Sequence, residues 1–260
     1  MIAKTIDEVI ELLGQIIQDS KLENSTYGYF AALYQKVTIC IKENLNTNYF
    51  DDDARMEKLD VEFANRYLSA YFEHCKGRRV SDSWQAGFDI AKNPSIIVLQ
   101  HLLLGMNAHI NLDLGITAAD IAKDGEMAEL EADFNRINEI LATLVEEVQN
   151  NLGEIWPFLL KILKWSKNAD DYMVNFSMYL ARDGAWRFAN RLHQEQNPQG
   201  REALIAQRDK QISELTCLIT DHGIVGRIIF AIIRLGEKGS AADKISVLQR
   251  VIEKADAPAL

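Results

Sequence analysis

The chain has 260 residues, of which 48% are hydrophobic and 25% are charged, and this balance is typical of a folded globular protein rather than a disordered chain. The formal net charge is -10 at pH 7, and no long basic run interrupts the acidic balance. Because nucleic-acid binding depends on basic side chains that contact phosphates, we expect no nucleic-acid partner.

Cysteine usage and the amino-terminal segment indicate the compartment. Cys40, Cys75 and Cys217 lie far apart, so they form neither a disulfide framework nor a thiolate zinc cluster, and they favour a reducing environment. Residues 1–17 carry acids within their apolar run and lack a small-residue cleavage pattern, which argues against a signal peptide. We expect a soluble, cytoplasmic protein.

Helical periodicity dominates the first part of the chain, and only four prolines occur in the whole sequence. Thr5 and Glu8 form a capping box before the first apolar stripe, and Ser81 is placed to cap a short helix. The helices predicted here are a first one after Thr5, a second from about Thr26 to Leu45, a third from about Ala54 to Cys75, and the short one ending before Pro94.

The second part of the chain continues the helical pattern. Ser95 is predicted to open a leucine-rich helix and Gly115 to close it. The later predicted helices are one with a stripe from Met127 to Leu152, one from Trp156 to Trp165, one from about Asp170 to His193, and three C-terminal helices broken near 222–223 and 236–239. The sequence predicts an all-α bundle of about nine to ten helices around a single core, with residues 1–260 forming one domain and a weak boundary near 194–202.

The most apolar late stretch, Ile224 to Leu235, contains 12 residues and includes two arginines. A membrane-spanning helix needs about 20 residues, so no membrane span is predicted. The stretch fits a homodimer interface and the centre of the bundle equally well.

Polar residues interrupt the leucine-rich helix at regular intervals. His101, Gly105, His109 and Asp113 are spaced by four and therefore share one helix face. His109 and Asp113 are close enough to bind one metal ion, or for the carboxylate to orient the imidazole. His101 and His109 are about 12 Å apart along the helix axis. Both histidines can bind one metal ion only if their side chains lean toward each other over Gly105. Gly105 could equally admit a neighbouring helix, and each histidine could simply bond to a backbone carbonyl.

A carboxylate also interrupts the apolar stripe of the third predicted helix. Asp60 falls at the centre of this stripe, and a buried carboxylate is costly without a cation, a donor or a metal. Glu62 and Arg66 fall on the opposite face and are predicted to form a solvated pair. The residues that define the stripe are Met56, Leu59, Phe63, Ala64, Tyr67 and Tyr71.

The helix predicted from about Asp170 to His193 has a similar feature. Asp183 lies within its apolar stripe, while Arg182 and Trp186 line a neighbouring strip. Arg182 or Arg187 could neutralise a buried acid or hold an anionic ligand, because a guanidinium offers a planar pair of donors. A purely structural Asp–Arg pair is the alternative.

Together these residues predict a metal centre in a helical enzyme. Imidazole and carboxylate ligands suit zinc, iron or manganese, and a site without cysteine ligands keeps an open position at which metal-bound water becomes a nucleophile. The predicted metal ligands are His101, His109, Asp113 and Asp60; the predicted catalytic residues are Asp60 and Asp183; the predicted substrate-binding residues are Arg182, Trp186 and Tyr67. The reaction class predicted is hydrolysis of an unidentified small-molecule substrate.

The alternative hypothesis is a non-catalytic bundle that binds a small apolar ligand or a protein partner. The histidines and aspartates would then form a buried polar network that fixes helix register. The aromatic residues available to line its pocket are Tyr67, Tyr71, Trp84, Phe176, Tyr179 and Trp186.

Three segments also carry a resemblance. RMEKLDVEFANRYL, LQHLLLGMNAHINLDLGI and ARDGAWRFA together resemble a bacterial family catalogued as a domain of unknown function, marked by the stretch LQHLLLGMNAHINLDL. The resemblance covers roughly Arg55 to Leu192. It implies no activity, so the functional hypotheses depend on the residues alone.

Overall fold

The computed structural model describes residues 3–156, 158, 178–221 and 223–250, and these form eleven α-helices and one π-helical turn, with no strand among them. The predicted all-α bundle is confirmed. The predicted helix from Trp156 to Trp165 and the start of the one from Asp170 fall mainly outside the described residues. The elements are α1 (Ile6–Leu22), α2 (Gly28–Asn44), α3 (Asp53–Cys75), α4 (Asp82–Ala91), α5 (Val98–Ala108), π1 (His109–Asp113), α6 (Leu114–Ile121), α7 (Met127–Ile155), α8 (Met178–Gln194), α9 (Pro198–Thr220), α10 (Gly223–Gly236) and α11 (Ala241–Gln249).

The early helices begin where their capping residues predict. The Thr5 hydroxyl accepts a hydrogen bond from the backbone N–H of Glu8 at 3.2 Å, and the Ser81 hydroxyl accepts one from Trp84. Asp52 caps α3 in the same way. These side chains satisfy backbone donors that have no partner within the first turn of a helix.

The leucine-rich helix differs from the prediction at both ends. It begins at Val98 rather than at Ser95, and the backbone N–H of Val98 donates to the buried carboxylate of Glu237 at 2.7 Å. It does not end at Gly115, because π1 and α6 continue it to Ile121. A Cβ on Gly115 would lie 2.9 Å from the carbonyl oxygen of Ala185, so this glycine allows α6 and α8 to approach each other closely.

One contiguous apolar core contains residues from Ala3 to Leu248. α1 packs on α2, α6 on α8, and α9 on α4 and α5, so the leucine-rich helix lies inside the bundle. The long helix α7 is joined to the segment before α3 by Asp133, a fully buried side chain that accepts from the N–H groups of Asp51 and Asp52. The weak boundary predicted near 194–202 stays a prediction, although α9 already begins at Pro198.

Within the described parts of the chain, no helix combines the length and the apolar character needed to cross a membrane. The amphipathic helix α10 does expose large apolar side chains, including Ile228, Ile232 and Leu235.

Two helical glycines test the packing between α2 and α5. A Cβ on Gly105 would lie 2.4 Å from Cγ of Phe30, whereas a Cβ on Gly153 would meet nothing within 4 Å. We expect Gly105→Ala to lower the free energy of unfolding by about 1 to 3 kcal/mol through overpacking. Gly153→Ala should raise it by up to about 1 kcal/mol, because alanine favours a helix over glycine.

Chemical denaturation of both variants measures these changes. Equal effects of the two substitutions would show that Phe30 does not require a glycine at position 105.

Candidate functional site

The candidate site is centred on the π-helical turn His109–Asp113. The turn closes with the backbone N–H of Leu114 donating to the carbonyl of His109, one residue wider than an α-helical bond. Single π-turns inside α-helices are frequent at functional sites. Both His109 and Asp113 are buried here, each with about 2% of its surface exposed.

Asp113 is an ionised carboxylate held by donors from two other helices. Arg66 on α3 donates Nε–H to Oδ1 at 2.9 Å, and Trp84 on α4 donates Nε1–H to Oδ2 at 2.8 Å. Burial alone would raise the pKa of Asp113, but the Arg66 guanidinium, with His109 and Trp84, holds it below its usual value. The carboxylate therefore stays charged inside the bundle.

The His109 imidazole lies beside this carboxylate, with Nδ1 3.6 Å from Oδ2 of Asp113. That separation exceeds the length of a good hydrogen bond. Neither ring nitrogen has a hydrogen-bond partner within the protein. Burial lowers the pKa of His109 more than Asp113 raises it, so the imidazole is neutral at pH 7. The adjacent carboxylate favours a proton on Nδ1, which leaves Nε2 as an acceptor.

Aromatic rings enclose the imidazole. Phe63 on α3 stacks flat against it, with ring centroids 3.6 Å apart and planes 5° from parallel. The Tyr34 ring on α2 meets it edge-on at 4.5 Å. Phe30, Tyr67 and Trp84 complete the enclosure at 5.7 to 6.2 Å. Such an apolar surrounding strengthens the electrostatic interactions within it.

Asp60 and Tyr34 contribute two further buried polar groups. Asp60 is 3% exposed, its Oδ2 has no hydrogen-bond partner within the protein, and burial raises its pKa to about 7. The Tyr34 hydroxyl also has no partner, and burial together with the charges of Asp60 and Asp113 raises its pKa. Among the described residues, no hydrogen bond or ion pair joins Asp60 to His101 or His109.

His101 lies apart from these groups. Its ring contacts Tyr29 at 5.3 Å, and burial lowers its pKa to about 3. The Phe30 side chain occupies the space over Gly105, so the neighbouring-helix explanation of this glycine is the one observed. In the part of the chain that the structure describes, no group of three or more His, Cys, Asp or Glu residues is placed to hold one metal ion. The four-ligand metal centre therefore stays a prediction.

A small cavity lies beside the aromatic enclosure. Its volume is about 30 Å³, which is enough for roughly one water molecule or a methyl group. Three aromatic rings both line the cavity and contact the His109 imidazole, and they therefore lie between the cavity and the imidazole. They belong to Phe30, Tyr67 and Trp84. His101 also lines the cavity.

Of the predicted substrate-binding residues, only Tyr67 belongs to this site. Arg182 is buried, donates to the Phe134 carbonyl and lies over the Phe134 ring, and burial lowers its pKa to about 9. Trp186 packs on the same ring at 4.7 Å. The Asp183 side chain is 41% exposed and pairs with Arg187 at 2.8 Å on its own helix. The structural Asp–Arg pair is the arrangement observed.

Sequence reasoning did not indicate Tyr34, assigned Arg66 to a solvated pair, and named Trp84 only as a residue available to line a pocket. The prediction of a solvated Glu62–Arg66 pair on the opposite face is wrong, because Arg66 pairs with the buried Asp113 and the Glu62 carboxylate lies 4.0 Å from the Lys58 amine. Long basic side chains can reach inward from a half-exposed position. The available signal was Asp113 itself, since a carboxylate within an apolar helix requires a cation from another segment.

The raised pKa of Asp60 gives a pH-dependent prediction. The folded protein keeps a proton on Asp60 up to about pH 7, whereas the unfolded chain releases it near the usual 3.8. Asp60 therefore contributes less stability as the pH rises through this range. Asparagine does not titrate, so we expect Asp60→Asn to gain roughly 1 to 4 kcal/mol in unfolding free energy relative to the wild type between pH 4 and pH 8.

Urea denaturation of the wild type and of Asp60→Asn between pH 4 and pH 8 measures this difference in unfolding free energy. Both proteins contain the same histidines, so the contributions of histidine titration cancel in the difference. A difference that does not change with pH would show that Asp60 titrates alike in the folded and unfolded states.

Comparison with known proteins places this site within a family. A model described as a family of unknown function, DUF5995, matches residues 6–222. All the residues of the site lie inside that range, whereas α10 and α11 follow it. No curated protein and no solved structure gives a match. The match confirms the resemblance carried by the three quoted segments and extends beyond them, and the chain belongs to the family of unknown function DUF5995.

Proposed function

We propose that the protein is a hydrolase in which His109 is the general base. The observation that carries this proposal is the buried His109 imidazole, which has no hydrogen-bond partner within the protein and lies 3.6 Å from the ionised Asp113. A histidine with a purely structural role would normally bond to a carbonyl. Leaving a buried polar group unpaired costs about 1 to 3 kcal/mol, and such groups concentrate where a ligand supplies the missing partner.

The neutral imidazole suits the role of base. Nε2 takes a proton from water as the water oxygen bonds to the electrophilic atom of the substrate. The same proton then passes to the leaving group as its bond breaks, so His109 returns to its neutral form. The nearby Asp113 carboxylate stabilises the transient imidazolium.

Asp113, Arg66 and Trp84 act as positioning residues. Arg66 and Trp84 occupy one carboxylate oxygen each and thereby fix the orientation of Asp113. Removing either donor would allow the carboxylate to rotate or to take up a proton, and the imidazole would lose its defined tautomer. The geometry thus supports an Asp–His pair whose orientation depends on α3 and α4.

Substrate access requires a side-chain movement at one of two places. Phe63, which covers one face of the imidazole, is only half-buried. Phe30 and Trp84 separate the imidazole from the cavity. Rotation of the Phe63 or the Phe30 side chain would open a path to His109 while Trp84 keeps its hydrogen bond to Asp113.

A metal-dependent form of this proposal uses the same imidazole as a ligand. Neutral His109 Nε2 and the Asp60 carboxylate are donor types that suit zinc, iron or manganese. Both oxygens of Asp113 already accept hydrogen bonds, one of them from the positively charged Arg66. Asp113 therefore suits the role of orienting carboxylate better than that of metal ligand.

The second candidate function is the non-catalytic binding of a small apolar ligand. The observation that favours it is the aromatic cavity, which Tyr67 and Trp84 line together with other side chains. Phe176 and Tyr179, which were predicted to line the same pocket, belong to the part of the chain whose side chains are not described. In this case the Arg66–Asp113–Trp84 network only fixes helix register.

Two further expectations from the sequence concern the cellular compartment and the oligomeric state. Cys75 and Cys217 are exposed and free, which suits the reducing conditions of the cytoplasm. The exposed apolar side chains of α10 suit a homodimer interface.

The test is hydrolysis of nitrophenyl esters, amides and phosphate esters by the wild type and by His109→Gln, with and without added zinc, manganese or iron. We expect the substitution to lower kcat/KM by at least about 100-fold, as loss of a general base does. His101→Gln is the matched control, since it also replaces a buried histidine, and it should retain activity.

Elemental analysis of the purified proteins separates the two catalytic forms. Stoichiometric metal that is lost in His109→Ala supports the metal-dependent form, whereas activity without metal supports the Asp–His pair. Full activity of His109→Gln would exclude His109 as the base. A lower melting temperature of His109→Ala, with neither hydrolysis nor metal in the wild type, would favour the binding function.

A further inference from the structure

Three buried polar groups without partners in the protein come from three different elements of the bundle. They are the hydroxyl of Tyr34 on α2, Oδ2 of Asp60 on α3, and the ring nitrogens of His109 on π1. Each of these residues is at most 4% exposed. One such group could be a local packing defect, but three that meet from separate helices require a common explanation.

Contacts of the Tyr34 ring link the elements that carry these groups. The ring meets the His109 ring at 4.5 Å and the Phe63 ring of α3 at 6.0 Å, and the charge of Asp60 contributes to the raised pKa of Tyr34. Phe63, one turn after Asp60 on α3, stacks on His109. The Tyr34 ring therefore packs against both the imidazole and the turn of α3 that follows Asp60.

The chemistry of the three groups restricts what they can bind. A tyrosine hydroxyl and a neutral imidazole each offer one donor and one acceptor, and the carboxyl adds acceptors. An anion would be repelled by the nearby Asp113 carboxylate, whose Arg66 partner is already engaged. An apolar ligand would leave all three groups unpaired. A small neutral molecule with both donors and acceptors satisfies them.

The space also limits the size of the ligand, because five aromatic rings surround His109. Buried water molecules typically make about three hydrogen bonds to polar groups that would otherwise be unsatisfied. We propose that Tyr34, Asp60 and His109 form a binding site for one water molecule, and that this water is the nucleophile that His109 deprotonates. The second part of the proposal rests on the proposed hydrolase function, whereas the first part does not.

A crystal structure of the wild-type protein that resolves ordered water tests the site directly. We expect a water oxygen within about 2.6 to 3.2 Å of the Tyr34 hydroxyl, of Asp60 Oδ2 and of one His109 nitrogen. Direct hydrogen bonds among the three side chains, with no water between them, would overturn the proposal.

Melting temperatures give an independent test with a conservative variant. If water binds the Tyr34 hydroxyl, Tyr34→Phe removes a hydrogen bond and should lower the melting temperature by about 2 to 6 °C. If the hydroxyl has no partner at all, the same substitution removes an unsatisfied group and raises the melting temperature, which would contradict the water site. Tyr49→Phe is the matched control, because the Tyr49 hydroxyl donates to the Arg136 carbonyl at 3.1 Å away from the site.

The catalytic part of the proposal has its own measurement. On a substrate that the wild type hydrolyses, Tyr34→Phe should lower kcat about 10-fold or more and leave KM nearly unchanged, because the variant loses an orienting bond to the nucleophile rather than to the substrate. An unchanged kcat would overturn the nucleophile role. Absence of hydrolysis by the wild type would contradict the proposed function, and the crystal structure and melting temperatures would still decide whether the water site exists.

Discussion

The charged hydrogen bond between Arg66 and Asp113 is the interaction on which the rest of the site depends. A carboxylate taken out of water needs a close cation and further donors, and leaving such a charge uncompensated typically costs about 3 to 5 kcal/mol. Arg66 supplies the cation from α3, and Trp84 supplies the second donor from α4. One carboxylate thus joins three elements and lies beside the His109 imidazole.

Asp60 and Asp113 show how the surroundings give two identical side chains different pKa values. Both are fully buried, and burial raises the pKa of each. Only Asp113 has a guanidinium beside it, so its pKa ends below the usual value while that of Asp60 rises to about 7. The same side chain is thus held ionised beside His109 at one position and with a pKa near neutrality at the other.

The sequence could predict which residues are unusual, but not which of them meet. Helical periodicity located the elements, and the four-residue spacing of His109 and Asp113 correctly joined these two residues. The same spacing could not reveal that Phe30 from another helix fills the space over Gly105, because the packing of distant helices leaves no periodic signal along one segment. Arg66 was missed for a related reason: its position outside the apolar stripe predicts solvent exposure, whereas its long side chain reaches the buried Asp113.

The family match ends at residue 222, yet the helix that carries His109 begins with a bond to Glu237. Glu237 is itself buried and pairs with Lys244 on α11 at 3.0 Å. The first turn of the leucine-rich helix is therefore completed by a segment that follows the matched residues. A fragment trimmed to residues 6–222 would lack the Glu237 carboxylate and would leave the backbone N–H of Val98 without this acceptor at the start of the helix.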